Sequence, residues 1–308
     1  MCVRSEITRP RRRAFDLVHR PAKGPCGLAC WLALPEHIAP GAAPLVAVHG
    51  IRRGATLQAR LFARRAAALG RPVIAPIFDE TGWAGYQQAC VRGRADLALL
   101  DLVSVLHGEG VVRSQTFDLF GFSGGAQFAH RFAMLHPDRV EDLTIASPGW
   151  YTFLDGAPYP YGLSPRPGHV DIWAERLIAN LSRFLALSIN VCVGERDCVV
   201  DKNTRSGLEI NAQQGLHRLD RARRWSAALR AAAAAMGVVS DVRLHVLKDC
   251  GHDFENCVLS GGLDRIVIPD LPRMAHAPIC RDTCSAQQKQ ACRVARAWRI
   301  PHEMDVSS

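Results

Sequence analysis

The sequence predicts an α/β fold: a mostly parallel, twisted sheet with helices on both faces and a lid-like insertion. Three observations carry that prediction. Short apolar runs alternate with longer helix-period segments along most of the 308 residues, the order that builds βαβ units. A serine with glycines on both sides follows one of those runs directly, where a strand should hand over to a helix. The alternation breaks once, at about 150–187, in a stretch dense in proline, glycine and aromatic residues.

The elements follow in order. "AFDLVHR" and "GLACWLALP" surround the turn-rich "PAKGPC" and read as an antiparallel hairpin. "PLVAVHG" is a Val-rich buried strand ending in glycine. "ATLQARLFARRAAALG" follows as a helix, with Leu57, Leu61 and Ala68 at helical spacing and Gly70 ending it. "RPVIAPIF" is a strand, "YQQACVRGRADLALLDLVSVLHGEG" a long helical pattern and "TFDLFGF" a third buried strand. "GGAQFAHRFAMLH" places Phe128, Phe132 and Leu135 on one helical face before Pro137 stops it. "VEDLTIASP" is a strand, and after the insertion come "INVCVGERD" (strand), "RARRWSAALRAAAAAMG" (helix) and "DVRLHVLKDCGHDF" (strand and loop). One domain is thus expected over 1–270, with a basic, Cys-containing tail at 271–308.

Composition narrows the function classes. Hydrophobic residues at 48% and charged residues at 22% describe a globular chain. No stretch approaches the roughly 20 apolar residues of a membrane helix. Behind the arginine cluster Arg9, Arg11, Arg12 and Arg13 there is no apolar stretch of the kind an export signal carries, so a cytoplasmic protein is expected. The net charge of +9 raises nucleic-acid binding, but no recognised motif accompanies it and the terminal cluster reads as a mobile arm. Eleven cysteines are many. Cys30, Cys90 and Cys192 sit in apolar runs as small core residues, while Cys280, Cys284 and Cys292 lack paired C-x-x-C spacing. No metal site is expected, and no cofactor is called for. Cys250 and Cys257 flank a histidine, and their oxidation state is left open.

Gly121-Phe122-Ser123-Gly124-Gly125 fits G-x-S-x-G in the strand–turn–helix setting that the motif requires. A serine at so sharp a bend is held in a strained backbone, where side chains two residues away on either side would collide. The hydroxyl is thereby exposed above the sheet edge, and the Gly124 N–H points to where an oxyanion would form. A serine hydroxyl needs a base. His245 alternates with apolar strand residues and is expected to face solvent. His130 and His136 are expected on the polar side of their helix, and His49 ends a strand. His252 follows the last strand in "DCGHDF" and is the expected base. The base needs a carboxylate. "VCVGERDCVVD" offers Glu195, Asp197 and Asp201 past a buried strand; Asp197 is the choice, Asp201 the fallback and Asp171 a weaker option.

The order Ser123, Asp197, His252, with its elbow, late acid and final base, resembles the α/β-hydrolase superfamily over about 27–255. Within it the chain is similar to esterase- and lipase-like members and, more distantly, to polyhydroxyalkanoate depolymerase and feruloyl esterase types. The resemblance implies that the residue after His49-Gly50, Ile51, lends a second oxyanion N–H beside Gly124. It implies hydrolysis of a small-molecule carboxylic ester through an acyl-enzyme, without metal or organic cofactor. An amide or peptide substrate with the same triad, or a non-catalytic ligand-binding protein of this fold, stands as the alternative. Arg52 and Arg53 are candidates to meet an anionic substrate group or to be solvated. Trp150, Tyr151 and Phe153, with Tyr159 and Tyr161, form either an aromatic wall over the substrate or a loop pinned to the domain.

Overall fold

Apolar runs bounded by turn residues give strands buried on both faces, and these occupy the middle of an eight-stranded sheet. The computed structural model describes residues 14–24, 27–90, 93–165, 172–201 and 203–270. The arginine cluster at 9–13, Asp171, and the 271–308 tail with Cys280, Cys284 and Cys292 lie outside the described residues. Strands β1 (Phe15–Arg20), β2 (Ala29–Pro35), β3 (Leu45–Val48), β4 (Val73–Ile77), β5 (Phe117–Phe122), β6 (Val140–Ala146), β7 (Ser188–Gly194) and β8 (Asp241–Leu247) are arranged in the order β1-β2-β4-β3-β5-β6-β7-β8. The hairpin β1–β2 and the β2–β4 pair are antiparallel, and every other pairing is parallel.

The helices are α1 (Ala55–Ala68), α2 (Ala95–Gly108), α3 (Gly124–Leu135), α4 (Ile172–Ala179), α5 (Leu181–Leu185), α6 (Leu208–Gln214), α7 (Arg218–Met236), α8 (Phe254–Leu259) and α9 (Leu263–Val267). They cover both faces. One core layer joins Val46, Val48 and Leu119 to Leu99 of α2, Phe128 and Phe132 of α3, and Trp225 of α7. The other joins Leu45, Ala47 and Phe120 to Phe62 of α1 and Val258 of α8. Alternate residues of β3 thus enter opposite layers, as the two-residue period of a strand requires. Among the described residues no helix is long and apolar enough to cross a membrane.

Several local expectations are corrected. The helical pattern of 86–110 is broken: a 3-10 turn at Tyr86–Gln88 ends at Ala89, and the α-helix starts only at Ala95, with Ala89, Gly93 and Arg94 all at positive φ (+55°, +79° and +53°). The buried stripe of α1 runs through Ala59, Phe62, Ala63 and Ala66, leaving Leu57 exposed. Within the insertion, residues 172–187 form two helices that meet at Asn180, whose side-chain amide donates to the Leu135 carbonyl at 2.8 Å. His130 is fully buried rather than polar-facing, since every residue of α3 is buried beneath its neighbours. His245 does not face free solvent either: it is half-buried and hydrogen-bonds Asn190 on β7.

Candidate functional site

The C-terminal ends of the parallel strands carry the expected residues. Ser123, between β5 and α3, has φ of +54°. Its N–H is fixed by the Ala146 carbonyl at 2.8 Å, at the end of β6. A Cβ on Gly121 would stand 2.2 Å from the Gly125 carbonyl oxygen, and one on Gly125 would stand 2.0 Å from that of Val48. Both contacts are far inside van der Waals distance, so only glycine lets the bend close. This is the crowding the motif predicts.

His252 arrives from the loop after β8. Its Nε2 lies 3.1 Å from Ser123 Oγ, and its Nδ1 lies 2.9 Å from Asp197 Oδ2. With the carboxylate ionised, Nδ1–H donates to Asp197 and Nε2 is left to accept from the serine hydroxyl. The imidazole rests on the Phe122 ring, 5.2 Å between centroids and inclined by 28°. Asp197 comes from the loop after β7 and is 2% exposed. The two loops are zipped together, since Glu195 N donates to Leu247 O and Arg196 N to Cys250 O. Glu195 and Asp201 turn elsewhere: Glu195 accepts from Asp249 N, and Asp201 accepts from Arg218, Thr204 and Asn203. Partial burial works against its ionisation, but those hydrogen bonds prevail and hold Asp201 at about 2.

The loop after β3 faces the serine from the opposite side. A Cβ on Gly124 would stand 2.9 Å from Ile51 Cγ2 and 3.3 Å from Ile51 N, so the two residues pack against each other next to Ser123. Among the described residues, neither the Ile51 nor the Gly124 N–H donates to a protein acceptor. His49 fastens this loop. Its Nδ1 is 2.8 Å from the Gly50 carbonyl, its Nε2 is 3.0 Å from Phe78 N, and its own carbonyl accepts from the Tyr86 hydroxyl at 2.7 Å. Burial pushes the His49 imidazole down to about 4. It is a neutral strut, not an acid or base for chemistry near neutrality.

A cavity of about 230 Å³ opens beside Ser123 and His252, bordered by Ile51, Arg52, Phe122 and Phe254 among others. Arg53 does not face it. Its guanidinium donates to the Phe78 carbonyl and lies 4.9 Å above the Tyr86 ring. A more open hollow of about 620 Å³, bordered by Trp83, Leu97 and Arg139, shares no lining residue with this cavity.

Trp150, Tyr151 and Phe153 are absent from the residues bordering the cavity. Tyr151 is completely buried and stacks on Trp225 at 4.7 Å, and Phe153 belongs to the same core layer. Trp150 lies 4.1 Å over the Arg131 guanidinium. Large apolar rings gain more from a closed core than from a wet cleft. Cys250 and Cys257 are free and buried, and burial pushes the Cys257 thiol up to about 12. Among the described residues no group of three or more His, Cys, Asp or Glu side chains is placed to hold a metal ion.

Sequence reasoning missed Arg218. Its guanidinium, 1% exposed, bonds Asp197 Oδ1 and Asp201 Oδ1 together. Nothing in "HRLDRARRW" separates it from the arginines around it.

No family profile matches the sequence, and no curated protein matches it. Solved structures do. The chain is similar to poly(aspartic acid) hydrolase-1 from Sphingomonas sp. KT-1, with 23% identity, a TM-score of 0.69, and 82% of this chain and 98% of that one covered. It is similar also to LpqC, a poly(3-hydroxybutyrate) depolymerase from Bordetella parapertussis, with 22% identity, a TM-score of 0.68, and 90% and 94% covered. An S-formylglutathione hydrolase from Agrobacterium tumefaciens shares 13% identity at a TM-score of 0.51, with 82% and 92% covered. The fold of this chain is that of the α/β-hydrolases.

Proposed function

We propose that this protein is a serine hydrolase of carboxylic esters. Ser123 Oγ attacks the ester carbonyl while His252 Nε2 takes its proton, and Asp197 holds the imidazole and stabilises its cation. The N–H groups of Gly124 and Ile51 receive the oxyanion. The tetrahedral intermediate then collapses, the imidazolium protonates the departing alcohol, and Ser123 is left acylated. Water attacks the acyl group in turn, again giving its proton to His252, and the acid leaves with Oγ protonated anew. The observation that carries the reading is the unbroken line Asp197–His252–Ser123 at 2.9 and 3.1 Å.

The cavity, at about 230 Å³, falls below the roughly 300–1,000 Å³ typical of pockets for drug-sized ligands. Short acyl groups are therefore the expected substrates, with the alcohol part leading out to solvent. A fluorophosphonate probe should label Ser123, and p-nitrophenyl esters should be cleaved fastest at acetate to butyrate length. An unlabelled Ser123 in a folded protein would leave a ligand-binding protein as the reading.

One observation favours a second substrate class. A poly(aspartic acid) hydrolase shares this fold at a TM-score of 0.69, and amides yield to the same triad when the leaving amine is protonated. Aminoacyl anilides run beside the ester panel decide between the two: faster anilide cleavage makes the protein an amidase.

A further inference from the structure

Arg218 is the first residue of α7, and its side chain is almost wholly buried. It reaches Asp197 Oδ1 from Nη1 at 3.3 Å and Asp201 Oδ1 from Nη2 at 3.0 Å. The neighbouring backbone points the same way, for Leu219 N donates to the Asp197 carbonyl at 3.3 Å. Asp197 is thus grasped twice, and its remaining oxygen, Oδ2, is the one that meets His252. Asp201 borders the cavity and is held by the other arm of the same fork. Among the described residues, Arg218 Nε, also buried, has no partner. A buried guanidinium with an unmet donor is costly to keep, which calls for a reason beyond stability.

We propose that Arg218 is a positioning residue for hydrolysis: it clamps the carboxylate of Asp197 so that only Oδ2 faces His252, and it diverts Asp201 from competing for the imidazole. This rests on the ester-hydrolase reading above. The planar fork suits two acceptors at fixed angles, which a lysine ammonium serves less well.

The test is a double-mutant cycle on the full chain, with p-nitrophenyl acetate turnover and thermal melts of wild type, Arg218→Met, Arg218→Lys, Asp197→Ala and Asp197→Ala with Arg218→Met. Loss of Arg218 should lower kcat by about 10–100-fold, by analogy with the loss of a group that orients a metal-ligating side chain, with KM changed less than about twofold. Arg218→Lys should recover part of the loss. In the Asp197→Ala background the Arg218 substitution should cost almost nothing further, because its route to the chemistry has gone. An equal cost in both backgrounds, or a folded Arg218→Met with normal kcat, overturns the proposal. If Arg218→Met does not fold, Arg218→Lys decides: normal kcat overturns the proposal, whereas lowered kcat at constant KM, with no effect beside Asp197→Ala, supports it. Full turnover in Asp197→Ala itself would bring down the ester-hydrolase reading along with this one. A drop there with additive Arg218 effects defeats only the clamp.

Discussion

The elbow at 119–125 and the stretch at 150–161 both set aromatic residues beside glycine, three glycines in the first and one in the second, yet they solve opposite problems. At the elbow the backbone is forced apart from its preferred conformations so that one hydroxyl stays reachable. In the aromatic stretch the rings are withdrawn: Tyr151 stacks on Trp225 and the Tyr159 hydroxyl donates to the Gln88 carbonyl. Both regions stand on a buried imidazole that accepts a backbone N–H, from Phe78 to His49 in one and from Thr152 to His130 in the other. Composition alone does not separate a strained bend from a packed loop. What separates them is where the side chains end up: Ser123 borders a cavity, whereas Tyr151 and Tyr159 are buried in the core.

The largest test of this contrast lies at the elbow. Ser123→Ala should lower kcat on short esters by about 10⁶-fold, the scale of a lost nucleophile, with melting temperature nearly unchanged; near-normal turnover would break the contrast at its root. In the aromatic stretch the effect should move from rate to stability. Tyr151→Ala empties a fully buried site and should cost about 3–5 kcal/mol in urea unfolding, with kcat on the folded fraction held within about threefold. A large rise in KM instead would return Tyr151 to the substrate wall.

A smaller effect comes from the imidazole beneath the elbow. Above pH 6.5 His49 is neutral folded and unfolded, so its contribution to stability is complete. Below 6.5 the unfolded chain binds a proton that burial denies the folded one until about pH 4. Stability should therefore fall across that window, by up to about 3 kcal/mol from this residue. His130, pushed well down by burial in the same way, adds to the fall. Denaturant midpoints from pH 7 to 4.5 measure it, and a flat profile would contradict neutral struts in both regions. The smallest change is Tyr151→Phe. The Tyr151 hydroxyl is buried without a partner among the described residues, so its removal should leave the melting temperature unchanged or slightly raised.

Much of this was legible because period and turn chemistry act locally. The strands announce themselves as apolar runs, and Gly121 and Gly125 announce a bend that tolerates no side chain. Asp197 and His252 were readable from their places just beyond strands, since parallel strands deliver such residues to one edge. The buried state of His130 was not readable: its helix is covered on all sides, so polar and apolar faces lose their meaning. Arg218 was hidden for a different reason. Its partners lie 17 and 21 positions away, and sequence spacing says nothing about contacts made across loops. The destination of the aromatic rings was likewise decided by Trp225, some 70 residues further along.

The positive φ of Ser123 has a consequence for how this protein would change under selection. Glycine adopts that backbone geometry freely, whereas other residues held in sparsely populated regions pay about 1–3 kcal/mol. On the serine-hydrolase reading proposed above, a laboratory lineage chosen only for heat tolerance would drift toward Ser123→Gly and arrive at a hardier, inert protein. Endurance screens on this scaffold therefore need a turnover requirement in every round.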